Sequence, residues 1–100
     1  VKYGLSVQVI DQLRAVFSRY PDIKLVYLFG SRAAGNFRDG SDIDLAVLAP
    51  TMTESAFTAL WNEVDSLPLV FKVDCIHFEQ LENAALKQKI LDSGVKFYPA

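Results

Sequence analysis

The sequence is poor in the groups that furnish many functional sites. It holds one cysteine, Cys75, and one histidine, His77, among 100 residues. A lone cysteine leaves no partner for an internal disulfide, which suits a reducing cytosol and gives the expectation of a cytoplasmic protein. No apolar run approaches the length of a membrane span, and the first residues lack the charged-then-apolar order of a signal peptide. Basic residues are not in excess: 10 Lys and Arg against 12 Asp and Glu leave a net charge of −2. Gripping a nucleic-acid backbone needs the opposite balance, so direct work on long DNA or RNA is not expected. Repeats, low-complexity tracts and linker-like stretches are also absent. Residues 1–100 are therefore expected to form one domain around one core.

What is present is ordinary globular material, 51% hydrophobic and 22% charged. After Ser6, a candidate N-cap, Val9, Ile10, Leu13, Val16, Phe17 and Tyr20 follow helical spacing until Pro21. Lys24 to Phe29 reads as a buried strand ending at Gly30, and Ser31 to Ala34 as the start of a short helix. Gly35, Asn36, Asp39 and Gly40 make a flexible connection to a strand over Asp42 to Leu48. Pro50 and a capping box, Thr51-x-x-Glu54, predict a second long helix with a stripe of Phe57, Leu60, Trp61 and Val64. Trp61 in that stripe reads as core.

Leu69 to Ile76 predicts a third strand, with Val70, Lys72, Asp74 and Ile76 facing one way and Phe71, Val73, Cys75 and His77 the other. A last helix is expected from about Glu79 to Ser93, with Leu81, Ala84, Ala85, Gln88 and Leu91 inward and Gly94 as its stop. Val95 to Tyr98 adds an edge strand. The order αβαβαβα predicts an α+β fold, a small three- to four-stranded mixed sheet flanked by helices.

Chemistry concentrates in Gly30 to Leu45, GSRAAGNFRDGSDIDL. Gly30-Ser31 lies where a strand hands over to a helix, so unpaired backbone N–H groups meet an approaching anion there. Glycine lets a phosphate come close to the backbone, and the serine hydroxyl adds a donor. Asp42 and Asp44 share one face of a strand, roughly 6.6 Å apart at Cα. Asp74 interrupts an apolar strand, and if the two strands are neighbours the three carboxylates cluster. Such a cluster is costly without cations and suits Mg²⁺, two ions of which would sit about 3.5–4 Å apart.

Taken singly, each feature has an ordinary explanation: a turn and cap, a solvated edge, a satisfied polar residue. None of these accounts for all three together. Arg32 and Arg38 lie near the turn and read as solvated side chains that reach toward phosphate at most. Lys72 shares a face with Asp74 and is placed for an ion pair or a phosphate contact. His77 and Cys75 fall on the opposite face and read as structural.

Gly30-Ser31, ten intervening residues and Asp42-Ile43-Asp44, with Asp74 on a later strand, resemble the nucleotidyltransferase superfamily that includes DNA polymerase beta. The fuller pattern, GSRAAG followed by SDIDL, is similar to the minimal nucleotidyltransferases (MNT), over nearly the whole chain. The resemblance implies that Asp42, Asp44 and Asp74 hold magnesium, Asp74 also orienting or deprotonating the acceptor, while Gly30 and Ser31 bind the β- and γ-phosphates of an NTP. It implies in-line attack on the α-phosphorus with release of pyrophosphate. It further implies one half of a two-component system, an MNT antitoxin that transfers AMP from ATP to a helical HEPN-domain toxin. A non-catalytic module that covers its HEPN partner, and transfer to a small molecule with a partner subunit supplying the acceptor site, stand as alternatives. A homodimer within a hetero-oligomer could use the apolar edge at Val95 to Tyr98 or exposed helix faces.

Overall fold

The computed structural model describes residues 2–38 and 40–100. Each long helix begins where a side chain supplies an acceptor for an orphan backbone N–H. Ser6 accepts from Val9 N at 3.2 Å and opens α1 (Val7–Ser18). Thr53 accepts from Ala56 N at 3.1 Å and opens α3 (Glu54–Asp65), and Asn83 accepts from Leu86 N at 3.0 Å and opens α4 (Ala84–Ser93). Between α1 and α3 lie β1 (Leu25–Phe29), the one-turn helix α2 (Ser31–Ala34) and β2 (Ile43–Leu48). After α3 come β3 (Val73–His77), a 3-10 turn at Phe78–Gln80, α4 and β4 (Val95–Tyr98).

Several sequence expectations shift. Thr51 is not the cap of α3; its hydroxyl donates to Asp22 at 3.0 Å, and Glu54 is already helical. The last helix starts at Ala84 rather than Glu79, because Phe78–Gln80 turns as a 3-10 segment and Asn83 is the cap. Its buried residue is Ile90, while Leu91, expected inward, is half exposed and Leu81 precedes the helix. Trp61 is 40% exposed, so Leu60 and Val64 alone are fully buried in α3. The third strand begins at Val73, not Leu69: the ladder to β2 starts where Ile43 N donates to Lys72 O at 2.9 Å, and Val70 is solvated. Asp39, placed in the flexible connection, lies outside the described residues.

The strands form one mixed sheet in the order β3-β2-β1-β4. β1 pairs antiparallel with both β2 and β4, and β2 pairs parallel with β3. A parallel pair needs a crossover, and α3 provides it while covering one sheet face. On that face Val26, Leu28, Ile43, Leu45, Val47, Cys75 and Phe97 pack with Ile10, Leu13, Val16 and Phe17 of α1 and Leu60 and Val64 of α3. Phe97 lies in this core, so β4 spends its apolar residue inside the fold. The α+β expectation therefore holds. The other face carries Phe29, Asp44 and Asp74 in one row across β1, β2 and β3, and α4 lies against it at β1.

Candidate active site

Pairing places the acidic residues. Asp44 lies directly opposite Asp74 in the parallel ladder, and on its other side opposite Phe29, the last residue of β1. Asp42 stands one residue before β2 begins, exposed at the same end of the sheet. Asp74 is also exposed, and Asp44 is intermediate. The sequence expectation that Asp74 sits on a strand neighbouring Asp44 is met by the register.

The turn after Phe29 comes right up to these acids. Gly30 adopts φ 79° and ψ −153°, a backbone region open only to glycine. A Cβ there would lie 2.6 Å from Asp44 Oδ2, so the missing side chain is what admits the carboxylate beside the turn. Ser31 opens α2, and Gly35 ends it in the left-handed conformation at φ 83°.

Electrostatically this corner is short of positive charge. Burial first, then the negative charges of Asp74 and Asp42, push the Asp44 carboxyl above its ordinary value of 3.8. Lys72 pulls it the other way, in keeping with its expected place near the acids. Among the described residues no three acidic, His or Cys side chains stand close enough to hold a metal ion by themselves.

Next to the turn lies a cavity of about 240 Å³ lined by Gly30, Ser31, Ala34, Asn36, Lys89 and Ser93. Its lining has no carboxylate, and Lys89 faces the turn from α4. Sequence reasoning missed Lys89, Asn36 and Ser93. Nothing local marks Lys89, which reaches the cavity only because α4 folds back over β1.

Arg32 is the clearest departure. Its place beside the turn predicts a solvated side chain, yet it is 2% exposed. Its guanidinium donates to Tyr3 O at 2.9 Å and, through two nitrogens, to Ser41 O at 3.1 and 2.8 Å. Its carbon lies 5.1 Å from the Phe37 ring centroid and 4.8 Å from that of Phe71. Arg38 is exposed, as expected.

His77 and Cys75 lie on the strand face opposite Asp74 and make their contacts within the fold. His77 Nε2 lies 2.9 Å from Ala49 O, and its ring stacks on Phe57 at 5.1 Å. Burial pushes the Cys75 thiol up to about 12, which removes it as a nucleophile.

Comparison with known proteins gives this arrangement its family. Residues 11–100 match the polymerase beta nucleotidyltransferase family. No curated protein sequence matches the chain. Among solved structures, a toxin–antitoxin complex with AMP-PNP is 30% identical at a TM-score of 0.71, over 96% of this chain and 75% of that one. The complex of tri-AMPylated Shewanella oneidensis HEPN toxin with MNT antitoxin is 25% identical at 0.67, over 93% and 71%. A Sulfolobus solfataricus protein, 22% identical at 0.53 over 93% and 88%, shares the fold. The chain belongs to the polymerase beta nucleotidyltransferase family, and the structures it is similar to include MNT antitoxin in complex with HEPN toxin.

Proposed function

We propose that this nucleotidyltransferase moves AMP from ATP onto a HEPN-domain partner, with Asp42, Asp44 and Asp74 as magnesium ligands. One observation carries the site assignment: Asp44 and Asp74 are cross-strand partners, and the Gly30 turn is moulded around Asp44 Oδ2. The donors are all carboxylate oxygens at a partly open surface, with excess negative charge and no closed cage of their own. That set fits Mg²⁺, which keeps waters and completes its shell with substrate phosphates. The acceptor and the nucleotide are proposed from the neighbours solved with AMP-PNP and with an AMPylated HEPN toxin.

In this reading Gly30 and Ser31 hold the β- and γ-phosphates, and Lys89 answers their charge from across the cavity. Magnesium, when bound, neutralises the α-phosphoryl and pyrophosphate oxygens. Asp74 orients the acceptor hydroxyl and takes its proton as the new bond to the α-phosphorus forms and pyrophosphate leaves. Most of the rate comes from holding the acceptor and the α-phosphorus in line.

The test is label transfer from α-labelled ATP to a helical protein that co-purifies with this chain from its native host, with Asp42→Asn in parallel. Label on the partner with the parent and none with the variant supports the reading. An intact complex that stays unlabelled with ATP and with the other nucleoside triphosphates overturns it and favours a covering, non-catalytic antitoxin.

A further inference from the structure

Arg32 is a buried cation, and among the described residues no carboxylate lies within bonding distance of it. Its hydrogen bonds go to two backbone carbonyls, and its faces to two aromatic rings. A guanidinium can be kept this way because carbonyl dipoles and ring faces both present negative charge. Two of these contacts, Ser41 and Phe71, lead to segments that carry part of the site. Arg32 itself follows Ser31 in the turn. Ser41 immediately precedes Asp42. Phe71 stands just ahead of Lys72, whose carbonyl receives the first ladder bond of β2, and three residues ahead of Asp74.

The sheet joins these three segments where β1, β2 and β3 pair, but the backbone that leads into the pairing is irregular. The stretch from Gly35 to Ser41 has no helix or strand among its described residues, and Leu69 to Lys72 lies outside β3. Irregular backbone next to a metal-type site must be held by side chains if its geometry is to be reproducible.

We infer that Arg32 is the positioning residue of the active site: its guanidinium sets the Gly30-Ser31 turn, Asp42 and the entry to the Asp74 strand relative to one another. Its planar fork matters, because two of its nitrogens converge on Ser41 O while a third reaches Tyr3 O in another direction. A lysine ammonium keeps the charge, but as a single donor point it cannot span both carbonyls and stack between two rings. The role rests on the proposed function for its consequence in nucleotide binding, but not for the geometry itself.

Two measurements on Arg32→Lys test it, with Phe17→Leu, a core change within α1, as a control for general loss of stability. The first is calorimetric affinity for AMP-PNP with magnesium. Arg32→Lys should lose about tenfold to a hundredfold, the range for residues that orient metal ligands, while Phe17→Leu stays near the parent. The second is amide exchange, which needs no nucleotide. Protection of Ile43 should fall about tenfold or more in Arg32→Lys while Leu45, two residues along the same strand, keeps its own.

If the lysine variant does not fold, Phe71→Leu takes its place, removing one wall of the stack and leaving the hydrogen bonds, with the same signs and smaller effects. Affinity within about twofold of the parent, or an equal loss in Phe17→Leu, overturns the inference. A parent that binds no nucleotide refutes the proposed function instead, and exchange then decides alone: unchanged Ile43 protection overturns the role of Arg32, and selective loss sustains it.

Discussion

The surroundings of Arg32 and those of Asp44 answer the same problem, a charge taken partly or wholly out of water, in opposite ways. Around Arg32 the fold supplies everything: two carbonyls, two rings and almost complete exclusion of solvent. Around Asp44 it supplies more negative charge, from Asp74 and Asp42, with Lys72 against it among the described residues. The first charge is finished by the protein, and the second is left for something that arrives from outside. A structural charge and a functional one differ here less in burial than in whether their partners are built in.

That contrast is sharpest in variants that remove one charge and keep the shape. Asp44→Asn is expected to lower nucleotidyl transfer about 10³-fold while the fold survives, as label transfer and a thermal melt would show. Full transfer would place Asp44 outside the chemistry. Arg32→Met should do the reverse in kind, costing about 2–4 kcal/mol in urea unfolding by orphaning the Ser41 and Tyr3 carbonyls. An unchanged midpoint would mean that water replaces the guanidinium.

Gly30→Ala tests the boundary between the two regions. Its Cβ would meet Asp44 Oδ2 in a backbone conformation hostile to alanine, so a loss of about 1–3 kcal/mol and weaker nucleotide binding are expected together. Lys89→Gln should weaken ATP by about threefold to tenfold without moving the melting temperature, since the side chain is exposed and tied to little else.

The smallest effect is one of sign. The folded carboxyl of Asp44 is raised above 3.8, so protonating it favours the folded state. In metal-free buffer that contribution is complete below 3.8 and is lost as pH rises through the folded value. Asp44→Asn should therefore melt higher than the parent at neutral pH, with the gap closing near pH 4. A gap that widens on acidification would contradict the crowding of negative charge.

The acidic half of this contrast was legible in the sequence and the basic half was not. Asp42, Asp44 and Asp74 stand out because carboxylates interrupt strands whose alternation is otherwise apolar. Gly30 stands out because a strand ends there and a helix begins. Arg32 sends no such signal. Its burial is made by Tyr3, Phe37, Ser41 and Phe71, which meet only in three dimensions. Lys89 is silent for the same reason.

Helix starts were misplaced where two candidates compete. Thr51 and Thr53 both resemble caps, and only backbone geometry chooses Thr53. Leu69 to Phe71 have strand-forming side chains but no partner strand, because the β2 ladder starts only at Ile43. Pairing, not propensity, ends a strand.

Folding fidelity is at stake in the parallel ladder as well. A slip of β3 by one residue would set Val73 or Cys75 opposite Asp44 and put Asp74 opposite Leu45 or Ile43, facing the apolar layer under α3. A carboxylate is a poor tenant there, so the mispaired sheet is penalised before it can be completed. Asp74 thereby guards the registration of the strand that presents it, and a neutral residue at that position would leave β3 freer to misalign during folding.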